Sequence, residues 1–407
     1  MKIVVISPTY NERENIKKLI PVLEEEVFPK IKNHEMYILI VDDNSPDGTA
    51  EEVKSFSKKW GNIKLLLGEK KGLGVAYVRG MHYAMDTMKA DAVVEFDADF
   101  QHDPQDIPSL IEAMDRGADY VIGSRYVKDG AIPNEWGIHR KIISRFGGLF
   151  AQIMLGTWHI HDMTSGYKLT KTTYLRNVDL DHLYSKYYAY KIHILHEIVK
   201  QKAKIVEIPI IFYERKEGSS KITRKDLFDS FRVVVLLWIN DYKRFIKFLF
   251  VGGFGFLVQV AAQEGTIYLG ITTYAARALE NLNAIKDITS VSHSLGAGFG
   301  AEAAIISNFV LNNFWTFGDA RKLKEKSNFF LRALKFNLAS LGSIFAQSLG
   351  VFIGEKTIGQ TTILFSRTFP TRIVVLIPTI IFIVIPLNYF IYNFVIWKTQ
   401  YLKKNQK

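Results

Sequence analysis

The chain has 407 residues, a formal net charge of +11 and no cysteine. This length is sufficient for two domains with separate cores, and the lack of cysteine excludes disulfides and thiolate metal sites. Charges are spread among short apolar runs up to about residue 241, whereas the segments beyond residue 245 carry few charges. The basic residues cluster beside these later apolar segments, which favours a membrane surface over nucleic acid as the partner.

Short β-branched runs alternate with helical patterns in the first half of the chain. The runs are KIVVIS, MYILIVDD, IKLLL, AVVEFDAD and DYVIGS. This alternation predicts an α/β fold, a mostly parallel sheet with helices on both faces. The apolar stretch at the N-terminus is too short for a signal peptide, so we expect membrane insertion to depend on the later segments.

Polar residues follow four of the predicted strands. The sequences at these strand ends are SPTYNERENI, DDNSPDGT, DADFQHDP and GSRY. Turn chemistry alone would explain any one of them. Because ligands of parallel α/β sheets bind beyond the carboxyl ends of the strands, the four together predict one site at that edge.

Asp97, Asp99 and Gln101 form the strongest chemical signal. In an extended segment, side chains two residues apart point to the same face. Carboxylate and amide oxygens suit Mg²⁺ or Mn²⁺, which proteins hold with one or two carboxylates and substrate phosphates. The spacing therefore predicts a metal site that bridges a diphosphate. We expect His102 and Asp103 to position the loop, with a place in the ligand shell of the metal as the alternative.

Other nucleotide-binding motifs are weak or missing. The sequence has no Walker-type phosphate loop, and Gly72 and Gly74 are best interpreted as a helix start, although a phosphate could rest there. The first strand ends in SPTYNE instead of glycines, which disfavours a dinucleotide oxidoreductase.

The second half predicts an all-α membrane domain with four spans. About 20 apolar residues cross a bilayer, and the candidate segments are residues 248–276, 288–317, 336–353 and 373–397, of which the first is kinked or too long for a single span. Lys and Arg are concentrated in residues 243–247, 321–335 and 398–407, which predicts a multi-pass protein with its N-terminal domain and C-terminal tail in the cytoplasm. Because the membrane domain is part of the same chain, we expect the cell membrane as its location, with the endoplasmic reticulum as the alternative.

Two further features of this half are open to interpretation. Residues 226–245 have the pattern of interfacial amphipathic helices that lay a domain on the bilayer. Glu264 and Glu302 lie within or near spans, where an isolated charge is costly. Each is either a functional carboxylate or one that faces the bundle interior or a loop.

The ordered motifs resemble a known family. SPTYNERENI, VDDNSPDGT, GLGVAYVRG, DADFQHDP, GSRY, MTSGYK and EGSSK together resemble family 2 glycosyltransferases of the dolichol-phosphate mannose synthase type. The second half, including NFVLNNFWTFGD, resembles the GtrA-like transmembrane domain. The resemblance implies a GT-A catalytic domain at 1–225, interfacial helices at 226–245 and a membrane domain at 246–407.

The resemblance also implies roles for individual residues. Catalysis would involve Asp97, Asp99, Arg125 and Lys221. The nucleoside of a sugar nucleotide, GDP-mannose by the nearest likeness, would contact Pro8, Tyr10, Glu12, Ile40 and Asp42. Asp97, Ala98, Asp99 and Gln101 would bind its diphosphate and the metal, Arg125, Arg215 and Lys221 would meet phosphates, and Arg140 and Ser144 would lie near the acceptor phosphate. Glu217 departs from the family, since this position is often basic.

The implied reaction is an inverting transfer of mannose to dolichyl or another polyprenyl phosphate. A phosphomonoester is mostly dianionic at neutral pH and is itself a nucleophile. Direct attack on an α-linked donor would give a β-linked product. We find no credible pair of carboxylates for double displacement; Asp162 is the nearest candidate, with a loop-capping role as the alternative. A UDP-sugar donor and a lipid-linked sugar translocase remain alternatives, whereas a polysaccharide synthase is disfavoured because no QxxRW-like segment is present.

Overall fold

The computed structural model describes residues 1–214, 224–280, 288–322, 328–359, 361–364 and 367–398. The chain forms two compact units, residues 1–240 and 241–407. The first unit contains a seven-stranded sheet in the order β3-β2-β1-β4-β6-β5-β7. Its strands are β1 (Lys2–Thr9), β2 (Glu35–Asp42), β3 (Ile63–Leu67), β4 (Ala92–Glu95), β5 (Tyr120–Ser124), β6 (Lys168–Lys171) and β7 (Ile205–Pro209).

The sheet confirms the predicted fold class and adds two strands to the five expected from the sequence. β1, β2, β3 and β4 pair in parallel, as do β5 and β7. β6 is antiparallel to both β4 and β5. The segment KLTK carries two lysines, and for that reason its pattern did not indicate a buried central strand.

Helices cover both faces of this sheet. Those of the first unit are α1 (Arg13–Pro21), α2 (Thr49–Lys59), α3 (Leu73–His82), α4 (Ile107–Asp115), α5 (Ile138–Leu155), α6 (Thr172–Leu175) and α7 (Tyr190–Lys200). Alternate residues of β1 enter opposite cores: Ile3 and Val5 pack in one, Val4 and Ile6 in the other. This two-sided burial is typical of parallel strands and explains their continuous apolar sequences.

The next helix, α8 (Arg224–Tyr268), is 45 residues long and continues from the first unit into the second. Residues 226–245, expected to form separate interfacial helices, are the first part of α8. The predicted span at 248–276 is divided, because α8 ends at Tyr268 and α9 (Ile271–Glu280) begins after Gly270, which has a φ of +70°.

The second unit is mostly helical. It contains α9, α10 (Ile288–Leu311), α11 (Gly318–Lys322), α12 (Phe329–Ile358), α13 (Thr371–Thr379) and α14 (Ile385–Ile391), together with the antiparallel strands β8 (Thr361–Leu364) and β9 (Arg367–Pro370). Within the described residues, three helical stretches are long and apolar enough to cross a membrane: Lys225–Tyr268, Phe329–Ala346 and Ile377–Ile396. α10, on which the predicted span 288–317 lies, is not among them, so four spans stay a prediction.

Candidate active site

A cavity of about 320 Å³ opens at the carboxyl ends of the strands, where the sequence placed the site. Its lining contains residues that follow β1, β4 and β5, and residues at the start of α3 and α5. The predicted site residues in this lining are Pro8, Tyr10, Glu12, Asp97, Ala98, Asp99, Gln101, Arg125 and Arg140. The first unit therefore brings together most of the residues that the sequence singled out.

The loop that holds Asp97, Asp99 and Gln101 differs from the extended segment we expected. β4 ends at Glu95, and Phe100 adopts a left-handed φ of +58°. The turn is closed by Asp99, whose Oδ1 accepts a hydrogen bond from the Gln101 amide at 3.1 Å. This turn places the three side chains in the lining of one cavity. The alternation of side chains along an extended strand, which we expected to do so, is not the cause.

Asp97 is held by groups that sequence reasoning missed. Tyr77 donates a hydrogen bond to Asp97 Oδ1 at 2.7 Å, and the buried Lys191 ammonium lies 3.8 Å from Asp97 Oδ2. Lys191 Nζ also lies 4.3 Å from the ring centroid of Tyr188. The one feature of the sequence that could have indicated this contact is that Lys191 stands among the apolar residues of α7.

The glycine of the motif MTSGYK, Gly166, lies where a side chain would clash with its neighbours. A Cβ at this position would lie 2.4 Å from Lys191 Nζ and 3.2 Å from Asp97 Oδ2. Both distances are shorter than ordinary contacts, so only a residue without a side chain lets the ammonium approach Asp97.

Beneath this pair lies a second buried pair of opposite charge. Glu95 and Lys168 are cross-strand neighbours on β4 and β6, and both are fully buried. Tyr190 donates a hydrogen bond to Glu95 at 2.6 Å, and Lys168 Nζ donates to the Lys191 carbonyl at 3.2 Å. Burial lowers the pKa of Lys168 to about 8 against the opposing charge of Glu95.

The residues predicted to contact the nucleoside divide into two groups. Pro8, Tyr10 and Glu12 line the cavity, and Lys70 lies 3.3 Å above the Tyr10 ring. Ile40 is buried in the core, and Asp42 is fully buried. Their assignment to the donor stays untested, and the structure gives their side chains a structural role.

Asp42 fixes the loop after β2, while its neighbour faces the cavity. The Asp42 carboxylate accepts hydrogen bonds from the Thr9 and Ser45 hydroxyls at 2.9 and 2.6 Å. Asp43 lines the cavity and accepts a hydrogen bond from Arg79 Nη2 at 2.7 Å. The second aspartate of the VDD motif is therefore the one placed to meet a ligand.

Arg125 is engaged by a carboxylate that lies 37 residues away in the sequence. Its Nε and Nη2 donate to the two oxygens of Asp162 at 2.7 and 2.8 Å, and Nη2 also donates to Thr164 Oγ1 at 2.9 Å. Burial alone would raise the pKa of Asp162, but Arg125 outweighs it and holds this pKa below its usual range. Asp162 is thus an ion-pair partner, and its loop-capping hydrogen bond to the Thr164 amide at 3.2 Å is also present.

A second cavity of about 680 Å³ adjoins the first. The two share Arg125, Trp136, Arg140, Tyr188 and Asp226 in their linings. Beyond this junction the second cavity is largely apolar, and its lining includes Ile143, Phe146, Phe150, Ile192, Leu227, Phe231 and Val234.

The residues predicted to meet the acceptor phosphate, Arg125, Arg140 and Ser144, all line this second cavity. The Arg140 guanidinium lies 3.9 Å from the centroid of the Trp136 ring. Ser144 shares a hydrogen bond of 2.5 Å with the Tyr126 hydroxyl. Arg140 therefore presents a cation where the polar and apolar cavities meet. Arg215 and Lys221, which were predicted to contact phosphates, lie outside the described residues, as does Glu217.

Comparison with known proteins places the chain in a family. The model of glycosyl transferase family 2 matches residues 4–179, and that of the GtrA/DPMS transmembrane domain matches residues 247–397. A dolichol-phosphate mannosyltransferase of Pyrococcus furiosus is 35% identical over 349 residues, which are 84% of this chain and 87% of the relative. The chain is a family 2 glycosyltransferase.

Two other comparisons cover the catalytic unit. An undecaprenyl-phosphate mannosyltransferase of Micrococcus luteus is 38% identical to the glycosyltransferase over 224 residues, 55% of this chain and 88% of the relative. The structure of glucosyl-3-phosphoglycerate synthase from Mycobacterium tuberculosis with Mn²⁺, uridine diphosphate and glucosyl-3-phosphoglycerate is 16% identical, with a TM-score of 0.41, and covers 59% of this chain and 79% of that one. The latter likeness is too weak to bear on function.

The donor set of the glycosyltransferase fits a hard divalent cation. Asp97, Asp99 and Gln101 offer only oxygen ligands in one cavity, which is the chemistry that Mg²⁺ and Mn²⁺ prefer. No cluster of three or more His, Asp or Glu side chains suited to a metal occurs in the described part of the chain. A cation at this position would therefore depend on the amide of Gln101 and on ligands from a bound diphosphate.

His102 and Asp103 position the loop, as predicted. Asp103 accepts a hydrogen bond from the Gln105 amide at 2.9 Å and so caps the turn Pro104–Asp106. His102 lies against the rings of Tyr167 and Phe212, with centroid distances of 5.0 and 4.9 Å. Burial lowers the pKa of His102 to about 3, so the imidazole is neutral at physiological pH.

Gly72 and Gly74 lie at the start of helix α3, as the sequence predicted. Gly72 has a φ of +119°, and a Cβ there would lie 2.4 Å from the Lys186 carbonyl oxygen. The Gly74 amide donates a hydrogen bond to that same carbonyl at 3.0 Å. These contacts fix the entry to α3 beside the cavity.

Proposed function

We propose that the glycosyltransferase transfers mannose from GDP-mannose to a polyprenyl phosphate such as dolichyl phosphate, with inversion at the anomeric carbon. The observation that carries this proposal is the junction of two unlike cavities at Arg125 and Arg140. One cavity presents carboxylates and suits a nucleotide diphosphate with its metal. The other is apolar and suits isoprene units next to a phosphate.

The relatives support the choice of sugar and acceptor. The Pyrococcus furiosus and Micrococcus luteus proteins are named for mannose transfer to dolichol phosphate and undecaprenyl phosphate. The similarity to the former extends over most of both chains. A guanosine nucleotide is the donor implied by the family motifs, and the assay below compares it with a uridine nucleotide.

At the junction, the cations position the acceptor phosphate as the nucleophile. Arg140 lies at the boundary of both cavities, and Arg125 is oriented there by Asp162. A guanidinium binds phosphate oxygens in a fixed geometry, and orientation of the two reactants supplies a large part of the rate enhancement. Because the phosphate dianion attacks directly, no side chain needs to remove a proton.

On the donor side, Asp97, Asp99 and Gln101 would hold Mg²⁺ or Mn²⁺. Such a cation neutralises the charge that develops on the leaving diphosphate. Tyr77 and Lys191 fix the orientation of the Asp97 carboxylate through their contacts with its two oxygens. Lys221 and Arg215 are proposed as further phosphate contacts on the basis of the family motifs alone.

A radiolabel assay tests the proposal. Membranes that contain the full chain are incubated with labelled GDP-mannose, polyprenyl phosphate and Mn²⁺, and label is counted in the organic phase. We expect lipid label that requires the metal and is lost in Asp99→Ala. Label from UDP-glucose alone would replace the donor, whereas no lipid label from any sugar nucleotide would refute transfer and favour a translocase.

We also propose that the catalytic unit faces the cytoplasm. The support is the excess of Lys and Arg on the same side of the membrane segments as the first unit, at residues 243–247 and 328–335 among others. Protease accessibility in sealed right-side-out and inverted vesicles tests this orientation. Cleavage of the first unit in right-side-out vesicles would refute it.

A further inference from the structure

The membrane unit contains an internal repeat. RFIKF in α8 (residues 244–248) matches RALKF in α12 (332–336), and NFVLNNF (308–314) matches NYFIYNF (388–394). Both later segments change from α-helix to a π-helical turn at the same point, Asn312–Thr316 and Tyr392–Ile396. The residues directly after these turns, Phe317 and Trp397, stack on each other at 4.5 Å with an angle of 7°.

The same register recurs in both repeats. A Cβ at Gly255 of α8 would lie 2.2 Å from Asn308 Oδ1 of α10. At the matching position of the second repeat, Ser343 of α12 donates a hydrogen bond to Asn388 Oδ1 of α14 at 2.8 Å. The helices thus form two related hairpins, α8 with α10 and α12 with α13 and α14, and each serves as an internal reference for the other.

The first hairpin differs from the second in polarity at its π-helical turn. Asn312 and Thr316 occupy the positions that Tyr392 and Ile396 occupy in the second hairpin. We call Asn312, Asn313 and Thr316 the α10 polar cluster. Their side chains are buried, with residue exposures of 2%, 0% and 2%. The second hairpin keeps a buried asparagine, Asn393, at the position of Asn313 and differs at the other two positions. The fold of the turn therefore does not require polar residues at 312 and 316.

The protein uses only part of the hydrogen-bonding capacity of the cluster. Asn313 Oδ1 accepts from Arg332 Nε at 3.1 Å and from Trp397 Nε1 at 3.3 Å, and Asn312 Nδ2 donates to the Asn308 carbonyl at 2.9 Å. Asn312 Oδ1, Asn313 Nδ2 and Thr316 Oγ1 are buried and form no hydrogen bond with any group in the described ranges. An unsatisfied buried polar group costs about 1–3 kcal/mol, and such groups in a native protein need an explanation. Three such atoms lie within the single π-helical turn Asn312–Thr316.

Cations of α8 lie beside this cluster. Arg244 donates to Asp319 at 2.5 Å through Nη2, while its buried Nε forms no hydrogen bond among the described residues. Lys247 Nζ lies 3.4 Å from the carbonyl oxygen of Trp315, next to Thr316 in the sequence. Asn312 and Thr316 are the two ends of the same π-helical turn.

We propose that the α10 polar cluster, with Arg244 and Lys247, binds the phosphate group of a membrane lipid. Asn313 Nδ2, Thr316 Oγ1 and Arg244 Nε are donors and match phosphate oxygens, whereas Asn312 Oδ1 is an acceptor and matches a hydroxyl hydrogen of the headgroup. Basic sites between membrane helices near the surface recognise anionic headgroups. The phosphate could belong to a phospholipid or to a polyprenyl phosphate, since the recognised group is the same. This site belongs to the membrane unit and is distinct from the cavities of the first unit.

Native mass spectrometry of the full chain in detergent tests the proposal. The probes are undecaprenyl phosphate, phosphatidylglycerol and diacylglycerol, which carries no phosphate. We expect one or both phosphate lipids to bind and diacylglycerol not to bind. The double substitution Asn312→Leu and Thr316→Val should weaken phosphate-lipid binding at least tenfold, while the melting temperature stays the same or rises because unsatisfied polar groups are removed.

The second hairpin provides the matched control. Ser343→Ala with Asn388→Leu removes the hydrogen-bonded polar pair of the second hairpin, which corresponds to Gly255 and Asn308 of the first, and should leave lipid binding unchanged. Arg244→Gln, which keeps the helix surface polar, gives an independent variant and should also weaken binding about tenfold. Unchanged binding in the Asn312/Thr316 double variant, or equal binding of diacylglycerol, would overturn the proposal. The assay involves no sugar transfer, so its outcome is independent of the catalytic proposal.

Discussion

Arg125 and Asp162 form a buried two-point ion pair, with Nε and Nη2 of the arginine 2.7 and 2.8 Å from the two carboxylate oxygens. This pair lies at the junction of the two cavities through Arg125. Removal of one partner from a buried pair leaves an uncompensated charge and costs about 3–5 kcal/mol. The carboxylate therefore orients the guanidinium and also balances its charge.

We predict that Asp162→Asn lowers both the melting temperature and the rate of lipid-linked sugar formation, the rate by at least tenfold below the melting transition. The asparagine keeps the shape but accepts at one oxygen only and carries no charge. The control is Asp119→Asn, which weakens the partly exposed pair with Lys171 and should leave the rate nearly unchanged. Wild-type melting and wild-type rate in Asp162→Asn would show that the pair has no positioning role.

Gly166→Ala should impair the donor site. The added Cβ would lie 2.4 Å from Lys191 Nζ and 3.2 Å from Asp97 Oδ2, so the ammonium must move away from Asp97. Overpacking of this kind costs about 1–3 kcal/mol. We expect a higher KM for the sugar nucleotide and a lower kcat, measured by initial rates at saturating acceptor.

A double-variant cycle with Lys191→Ala checks the cause. If the clash with the ammonium is responsible, Gly166→Ala adds little to the effect of Lys191→Ala. Full additivity of the two substitutions would mean that Gly166 acts through another contact.

The sequence was informative where the signal is local. The strands β1 to β5 have apolar runs that end in turn residues, and their parallel order places Tyr10, Asp97 and Arg125 at one edge. The common edge of a parallel sheet follows from its connections, so the location of the site could be predicted. The turn at Phe100 could not, because DADFQ has no glycine to indicate a left-handed residue.

Other contacts of the site depend on long-range packing. Asp162 and Arg125 are brought together by β6 and its preceding loop, and Lys191 reaches Asp97 from α7. A buried lysine has the same sequence signature as an exposed one, since only tertiary contacts decide its surroundings. For the same reason, Asp42 and Asp43 could not be assigned to loop and cavity from the sequence.

Phe231→Ala should raise the KM for polyprenyl phosphate about tenfold and leave the KM for the sugar nucleotide unchanged. Phe231 stacks on Phe150 at 5.0 Å in the lining of the apolar cavity and is 51% exposed. A lipid chain that covers an aromatic ring of this kind gains at most about 1.5–3 kcal/mol of apolar contact. Phe228→Ala is the matched control, because Phe228 lies one turn earlier on α8, is 69% exposed and does not line either cavity. Equal KM changes for both substrates, or equal effects of the two variants, would contradict this location for the lipid.

The buried Lys168 predicts a specific dependence of stability on alkaline pH. Burial lowers its pKa to about 8 in the folded protein, below the ordinary value of 10.5. Between these two values the unfolded chain binds more protons than the folded one, so this group makes stability rise with pH, by at most about 1.4 kcal/mol per pH unit. Below about pH 8 both states carry the proton, and its contribution no longer changes.

Lys168→Met should therefore remove this rise. We expect the difference in melting temperature between Lys168→Met and the wild type to be largest near pH 8 and to shrink as the pH is raised to 10, measured on the full chain in detergent. Lys171→Met, three residues away and paired with Asp119 at the surface, controls for loss of a lysine from the same strand and should give a difference that does not follow this trend. Parallel melting curves for wild type and Lys168→Met across this range would show that Lys168 keeps an ordinary pKa in the folded protein, in which case Glu95 compensates its burial completely.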